Sequence, residues 1–212
     1  MKFETTKPEE IEKRSFEILT AELAGMGITL SGDTAPVIKR CIHTTADFDY
    51  ARTMVFSEGA VAAFCRLVKE GAVIVTDTNM ALAGINKRML ASFGSEAMCF
   101  MADESVMKEA KERQVTRAHV SMERAMRIDR PVIFAIGNAP TALITLREYF
   151  DQGKYRPAFV IGVPVGFVNV AEAKELIMET EIPHIINRGR KGGSNVAAAI
   201  CNAMLYEMRE RI

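Results

Sequence analysis

The chain has 212 residues, enough for one large domain or two small ones. Its hydrophobic fraction of 49% and charged fraction of 25% are ordinary for a globular protein. Lys plus Arg and Asp plus Glu number 27 each, so no net field attracts the chain to nucleic acid or to a membrane surface. We therefore expect neither as a partner, whereas local anion-binding sites are compatible with this balance.

Targeting and redox motifs are not found in the sequence. The N-terminal MKFETTKPEEIEKR is charged and lacks the apolar stretch of a signal peptide. The longest apolar runs, such as AFVIGVPVGFV, contain glycine and proline and are too short to span a bilayer. The four cysteines are far apart and form no CxxC pair, so we expect reduced thiols and a cytoplasmic location.

The first part of the chain is predicted to be helical. EEIEKRSFEILTAEL has apolar residues near helical spacing and predicts a helix over about residues 8–24. A second helix has Pro36 in its first turn and is expected to end near His43. A third helix is expected to be capped by Ser57 and to stop at Gly71.

From about residue 72 onward, short apolar segments alternate with helical ones. The predicted strands are AVIVTDT, AMCFMAD, PVIFAIG, RPAFVIGVP and PHIINR. They are apolar almost throughout, as expected when helices cover both faces of a parallel sheet. The alternation predicts a three-layer α/β/α fold with a mostly parallel, Rossmann-like sheet of about five strands. No linker or low-complexity tract divides the chain, so we expect one domain over residues 1–212.

The loops that follow these strands are the candidate site, because ligands of such sheets bind beyond the carboxyl ends of the strands. Three of them, GNAPTAL, GVPVGFVNV and NRGRKGGSN, combine glycine with the start of a helix. This combination offers backbone N–H groups to phosphate or carboxylate, and Arg188, Arg190 and Lys191 add cationic donors. One such loop is more simply a compact turn, but three at one edge favour anion binding.

Motifs for nucleotide, hydrolytic or metal chemistry are not found. No strand is followed by GxxxxGK[ST] or GxGxxG, and the sequence lacks GxSxG and HExxH. His43, His119 and His184 are too scattered to predict a metal site. We expect His119 to be exposed on its helix and His184, which starts a strand after Pro183, to be structural.

His43 differs from the other histidines because it lies at the expected C-terminal end of a helix. The negative end of the helix dipole favours an imidazolium there, and Asp47 and Asp49 favour it further if they are near. Such a histidine can give a proton to a substrate nitrogen or oxygen near neutral pH. Spacing alone leaves two roles open, a proton donor or a cap of the helix carbonyls.

Several segments carry a family resemblance. They are HTTADFD, SEGAV, VIVTDTNM, AIGNAPTAL, VIGVPVGFVNVAEAKE and NRGRKGGSNVAAA, in order between RSF at residues 14–16 and the last helix. In combination they resemble the precorrin-8X methylmutases of cobalamin biosynthesis. The resemblance implies an isomerase that moves a methyl group between neighbouring carbons at ring C of a corrin precursor, giving hydrogenobyrinate or its cobalt form, cobyrinate. It implies no cofactor and no metal held by protein ligands, with any cobalt arriving inside the substrate.

The resemblance also implies roles for particular residues. His43 matches the family's essential histidine, which protonates or hydrogen-bonds the ring C nitrogen. Ser15 matches a substrate-contacting serine, and Arg117 matches an arginine that, in a homodimer with the site near the interface, would serve the partner's site. The other expected contacts with the corrinoid are Thr44, Asn138, Val163, Pro164, Gly166, Phe167, Arg190, Lys191, Gly192 and Gly193.

Two questions stay open at this point. Thr44 and Thr45 resemble the branch of the family that inserts cobalt early, which favours cobalt-precorrin-8 as the substrate. They are either contacts with the ring or hydrogen-bonding residues at the helix end. The alternative function is a tetrapyrrole-binding carrier of the same fold without turnover, which has no need of a proton donor at His43.

Overall fold

The computed structural model describes residues 7–210; residues 1–6 and 211–212, which include part of the N-terminal segment considered above, lie outside the described residues. The strands are β1 (Met54–Phe56), β2 (Val73–Thr76), β3 (Glu96–Met98), β4 (Val132–Ile136), β5 (Phe159–Gly162) and β6 (His184–Asn187). The helices are α1 (Pro8–Gly25), α2 (Ala35–Thr45), α3 (Tyr50–Thr53), α4 (Ala60–Lys69), α5 (Asn79–Gly84), α6 (Lys87–Ser92), α7 (Glu104–Glu112), α8 (Arg117–Ala125), α9 (Pro140–Asp151), α10 (Val170–Met178) and α11 (Ser194–Glu210).

The strands form a six-stranded sheet in the order β1-β6-β5-β4-β2-β3. All neighbours are parallel except β1, which runs antiparallel to β6 at one edge. The chain leaves β2 for β3 on one side and then returns to β4 on the other, so the switch in strand order lies between β2 and β4. The predicted α/β fold is confirmed, and the predicted count of strands is one short because β1 was missed.

Both faces of the sheet are covered, which explains why its strands are apolar throughout. Successive side chains of a strand point to opposite faces. In β4, Ile133 and Ala135 pack with α1, α2, α4 and α11, whereas Val132, Phe134 and Ile136 pack with α8, α9 and α10. Each face therefore has its own cluster of buried side chains, and the sheet separates the two clusters.

The helices at the start of the chain match the prediction closely. α1 and α2 cover the predicted segments, and α2 ends at Thr45, followed by its C-cap Ala46 in a left-handed conformation with φ 54°. The prediction that Ser57 caps α4 is wrong, because the helix begins after Gly59. The Ser57 hydroxyl instead accepts a hydrogen bond from the backbone N–H of His184 at 2.9 Å. Among residues 7–210, no helix is long and apolar enough to cross a membrane.

Candidate active site at the carboxyl edge of the sheet

The loops after β5 and β6 are joined by backbone hydrogen bonds. The N–H of Gly193 donates to the carbonyl of Val163 at 2.8 Å, and the N–H of Gly166 donates to the carbonyl of Arg190 at 3.2 Å. A Cβ atom at Gly192 would lie 2.0 Å from the Val163 oxygen, so only glycine permits this approach. A Cβ atom at Gly137 would lie 2.7 Å from the Ser194 Cα, so the structure brings all three predicted glycine-rich loops together.

The loop after β4 is not the anion site that the sequence predicted. Asp77, buried at the end of β2, accepts hydrogen bonds from the backbone N–H groups of Gly137, Asn138 and Ala139 at 2.6–2.8 Å. Burial raises the pKa of the Asp77 carboxyl group, while the three N–H donors act in the opposite direction. The chain's own carboxylate thus occupies the crevice at the switch in strand order. Asn138 offers only its exposed side chain to a ligand.

Lys191 is engaged by two carboxylates of its own chain. Its ammonium lies 2.6 Å from a carboxylate oxygen of Asp47 and 2.6 Å from one of Asp49. This pairing lowers the pKa of Asp47 and raises that of Lys191. The contact of Lys191 with substrate carboxylates stays a prediction, and two carboxylates of the chain already face its ammonium. Its observed role is to tie the segment that follows His43 to the loop after β6.

His43 lies in the last turn of α2 with its side chain exposed. Its ring stacks on Phe16 of α1, with centroids 5.1 Å apart and an interplanar angle of 25°. Within residues 7–210, neither ring nitrogen forms a hydrogen bond, and the aspartates that were expected to favour an imidazolium are held by Lys191. Both nitrogens of His43 are therefore available to a ligand.

The threonines after His43 bind the helix carbonyls. Thr44 Oγ1 donates to the carbonyl of Arg40 and Thr45 Oγ1 to that of Cys41, each at 2.8 Å. The N–H of Ala46 donates to the carbonyl of Ile42 at 2.7 Å. These contacts take the capping role that the sequence left open for His43. The predicted contact between Thr44 and the substrate has no support from this geometry.

Ser15 and Arg117 lie in different parts of the structure. Ser15 is half-buried next to Phe16, and its hydroxyl donates to the carbonyl of Ile11 at 3.0 Å. Arg117 is exposed at the start of α8 and reaches the carbonyl of Met101 after β3 at 3.5 Å. Four interstrand spacings, or roughly 19 Å, separate β3 from β6. Arg117 is thus remote from the loop after β6 within one chain.

Exposed apolar side chains concentrate on the loops at this edge. The exposed fraction is 82% for Phe167, 75% for Val168 and 70% for Met80, which follows β2. The guanidinium of Arg190 lies 5.5 Å from the centroid of the Phe167 ring. Sequence reasoning predicted Phe167 but missed Met80 and Val168, because an apolar loop residue does not reveal its own exposure.

Two other predicted ring contacts are corrected. Val163 and Pro164 are buried beneath the loops, where the carbonyl of Val163 binds the next loop, so they support the surface and do not form it. Away from the loops after β4, β5 and β6, α1, α2 and α11 line an open groove of about 1130 Å³ that includes Phe16 and Arg40. The groove lies one helical turn from His43.

The remaining histidines have partners elsewhere. The prediction that His119 is exposed is wrong: it is half-buried, with its ring nitrogens 3.0 Å from the Thr145 hydroxyl and 3.1 Å from Glu123. The guanidinium of Arg113 lowers the pKa of Glu123 to about 2. His184 is buried in β6, and burial lowers its pKa, in keeping with a structural role. Residues 7–210 contain no group of three side chains able to hold a metal ion.

Comparisons with known proteins were made for this fold and site. The family model for precorrin-8X methylmutase matches residues 10–207. The cobalt-precorrin-8 methylmutase of Priestia megaterium is 42% identical over 94% of this chain and 88% of its own length. That of Salmonella typhimurium is 41% identical over 96% and 97%. The crystal structure of a precorrin-8X methyl mutase from Thermus thermophilus matches with a TM-score of 0.85 at 37% identity, covering 95% of this chain and 98% of that one.

The fold and these relatives define an isomerase of cobalamin biosynthesis. The chain belongs to the precorrin-8X methylmutase family. The alternative of a carrier without turnover is set aside, since the relatives are methylmutases over nearly the whole chain.

The carboxylate of Asp77 generates the first prediction. We expect Asp77→Asn to lower the free energy of unfolding by about 1–3 kcal/mol, because the amide NH₂ would face a backbone N–H that now has an acceptor. Urea unfolding measures this loss, with the exposed Asp129→Asn as the matched control. Equal stability of the two variants would contradict the assigned role.

Proposed function

We propose that this methylmutase converts precorrin-8, most readily in its cobalt form, into cobyrinate or hydrogenobyrinate, with His43 as the proton donor to ring C. The observation that carries the proposal is the position of His43. Its two unengaged ring nitrogens lie at a helix end that is tied through Lys191 to the loop after β6. A proton donor of this kind needs to be fixed in place and open to the ligand.

The reaction balances within one molecule. A methyl–carbon bond breaks at one ring C carbon and forms at its neighbour, while the double bonds of the ring rearrange. No methyl donor or redox partner is required. A proton from His43 on the ring C nitrogen, or a hydrogen bond to it, stabilises the electron distribution that the shift produces. Catalysis then depends on holding the macrocycle in one orientation toward that nitrogen.

The loops at the carboxyl edge suit a flat ring that bears many carboxylates. Phe167 and Val168 offer apolar surface to the ring. Among the cations of the loop after β6, Arg188 pairs with Glu175 and Lys191 with two aspartates. Arg190 contacts the ring of Phe167 and has no carboxylate partner within the described residues. We therefore assign Arg190 to a substrate carboxylate, with the backbone of Gly166, Gly192 and Gly193 and the Asn138 side chain beside it.

The preference for a cobalt substrate is supported by the relatives. The cobalt-precorrin-8 methylmutases from Priestia megaterium and Salmonella typhimurium are 42% and 41% identical to this chain, compared with 36% for the precorrin-8X methylmutase of Pseudomonas aeruginosa. Cobalt is then part of the substrate, and the protein itself holds no metal or cofactor. A cytoplasmic location and a single domain over residues 1–212 stay predictions, the latter supported by one sheet that both buried clusters cover.

We also propose a homodimer in which Arg117 contributes to the partner's site. The support is the separation of roughly 19 Å between the β3 and β6 ends of the sheet, which keeps Arg117 away from the loop after β6 of its own chain. Ser15 lies beside Phe16, the residue on which His43 stacks, and belongs to the site of its own chain.

Separate incubation with precorrin-8X and with cobalt-precorrin-8 tests the proposed function. We expect the absorption spectrum to change to that of the rearranged corrin, faster with the cobalt form. The mass of the product should equal that of the substrate, because the shift is intramolecular. Conversion of neither substrate would overturn the proposal.

Substitution of His43 tests its role as proton donor. We expect His43→Ala to lower turnover at least about 100-fold, the contribution typical of a placed general acid. Stability should change by less than about 1 kcal/mol, because the side chain is exposed. His43→Gln retains an N–H donor without a transferable proton. If the Gln variant turned over near the wild-type rate, His43 would act by hydrogen bonding and not by protonation. If the Ala variant were unaffected, both roles of His43 would be excluded.

Hybrid dimers test the placement of Arg117. We expect Arg117→Ala to weaken substrate binding without abolishing the chemistry. When it is co-expressed with His43→Ala, random pairing makes half of the dimers hybrids, and each hybrid has one site with both side chains intact. The mixture should recover about a quarter of the wild-type kcat/KM. If Arg117 acts within its own chain, hybrids have no intact site and no recovery occurs.

A further inference from the structure

Lys174 is a fully buried cation in α10, outside the residues assigned above. Its ammonium donates to the backbone carbonyl of Gly189 at 2.7 Å and to that of Lys191 at 2.8 Å. Within residues 7–210 it pairs with no carboxylate. Lysine is rarely buried without an acidic partner, because removing the charge from water is costly. Its presence here calls for a role that a neutral side chain would not fill.

The two carbonyls that Lys174 binds flank Arg190. The Lys191 carbonyl also accepts a hydrogen bond from the side-chain amide of Asn187 at 2.8 Å. The hydroxyl of Thr53 donates in turn to the oxygen of the Asn187 amide at 2.6 Å. The backbone on both sides of Arg190 is therefore anchored from below, while the Arg190 side chain is exposed above it.

We propose that Lys174 is a positioning residue for substrate binding: it fixes the backbone around Arg190 and places a buried positive charge beneath the surface that receives the substrate carboxylates. This inference rests on the proposed function. A charge shielded from water acts on a nearby anion more strongly than a charge in solvent. The ammonium therefore contributes to affinity for a polyanion without touching it.

The protonation state of Lys174 makes this role measurable. Burial lowers the pKa of Lys174 to about 8. Glu172 and Arg190 on the adjoining segments are exposed. The other ionised groups there are paired: Glu175 with Arg188, and Lys191 with Asp47 and Asp49. Because an anionic ligand favours the ammonium form, affinity should be greatest well below pH 8 and should decline as the pH rises through the pKa of Lys174 in the free protein.

Titration of the full-length protein with hydrogenobyrinate, followed by absorption between pH 7 and pH 9, tests the inference. We expect the wild-type Kd to rise over this interval, because the ammonium that favours the anionic ligand is lost there. Lys174→Met should bind at least about tenfold more weakly at pH 7 and show no such rise. Its kcat at saturating substrate should stay within about threefold of wild type, because His43 is unchanged.

Lys69→Met is the matched control, since Lys69 is exposed at the end of α4, near the amino end of β2 and away from the site. It should retain the wild-type pH dependence. A wild-type Kd that is constant from pH 7 to pH 9, or a Lys174→Met variant that retains the rise, would overturn the charge role. If Lys174→Met does not fold, Lys174→Arg decides this point: its guanidinium stays charged over the whole interval, so the rise in Kd should be absent.

Hydrogen exchange separates failure of this inference from failure of the proposed function. In the free protein, Lys174→Met should accelerate exchange of the amides of residues 189–193, because the loop loses two anchors. Unchanged exchange would overturn the positioning role even if the enzyme converts precorrin-8. Accelerated exchange would support it even if neither precorrin is converted.

Discussion

The carboxylate of Asp77 occupies the crevice at the switch in strand order and holds the backbone N–H groups of residues 137–139. A parallel sheet collects free N–H groups at its carboxyl edge, most of all where the strand order switches. Here the chain supplies its own anion at that point. The donors that many related folds offer to a phosphate are thus used to hold β2 and the loop after β4 together. The binding surface that we propose therefore lies toward β5 and β6, where Phe167, Val168 and Arg190 are exposed.

The fold was predictable from the sequence because it depends on local patterns. Each parallel strand is a short apolar run between helical segments. The helix α2 ends about one turn after Ile42, the last apolar residue of its periodic pattern. β1 was missed because three half-buried residues make no such run, and its pairing with β6 is decided by contacts distant in sequence. The same limit explains Asp77 and Lys191, whose partners are far away along the chain. Residue types in the loops after β4 and β6 suggested anion binding. Only the folded chain shows that the backbone N–H groups of the first loop and the Lys191 ammonium of the second already have acceptors.

His43 shows how family resemblance and geometry complement each other. Spacing left a choice between a proton donor and a helix cap. The structure assigns the capping contacts to Thr44, Thr45 and Ala46, and the ring of His43 keeps both nitrogens unengaged. For an intramolecular methyl shift, the protein needs only to orient the substrate and to supply one correctly placed proton. The site that we propose, with backbone contacts, buried charges and a stacked imidazole, is suited to that demand.

The antiparallel strand β1 has a consequence for the order of folding. Met54 pairs with Asn187, and the buried face of α2 packs on Ile200 and Met204 of α11. The segment that bears His43 is made well before residues 187–204, which pack with it and with the neighbouring strand β1. Long-range contacts of this kind delay the formation of native structure. A nascent chain therefore exposes its early helices until α11 is complete, and removal of α11 would take away the support of the helix that bears His43.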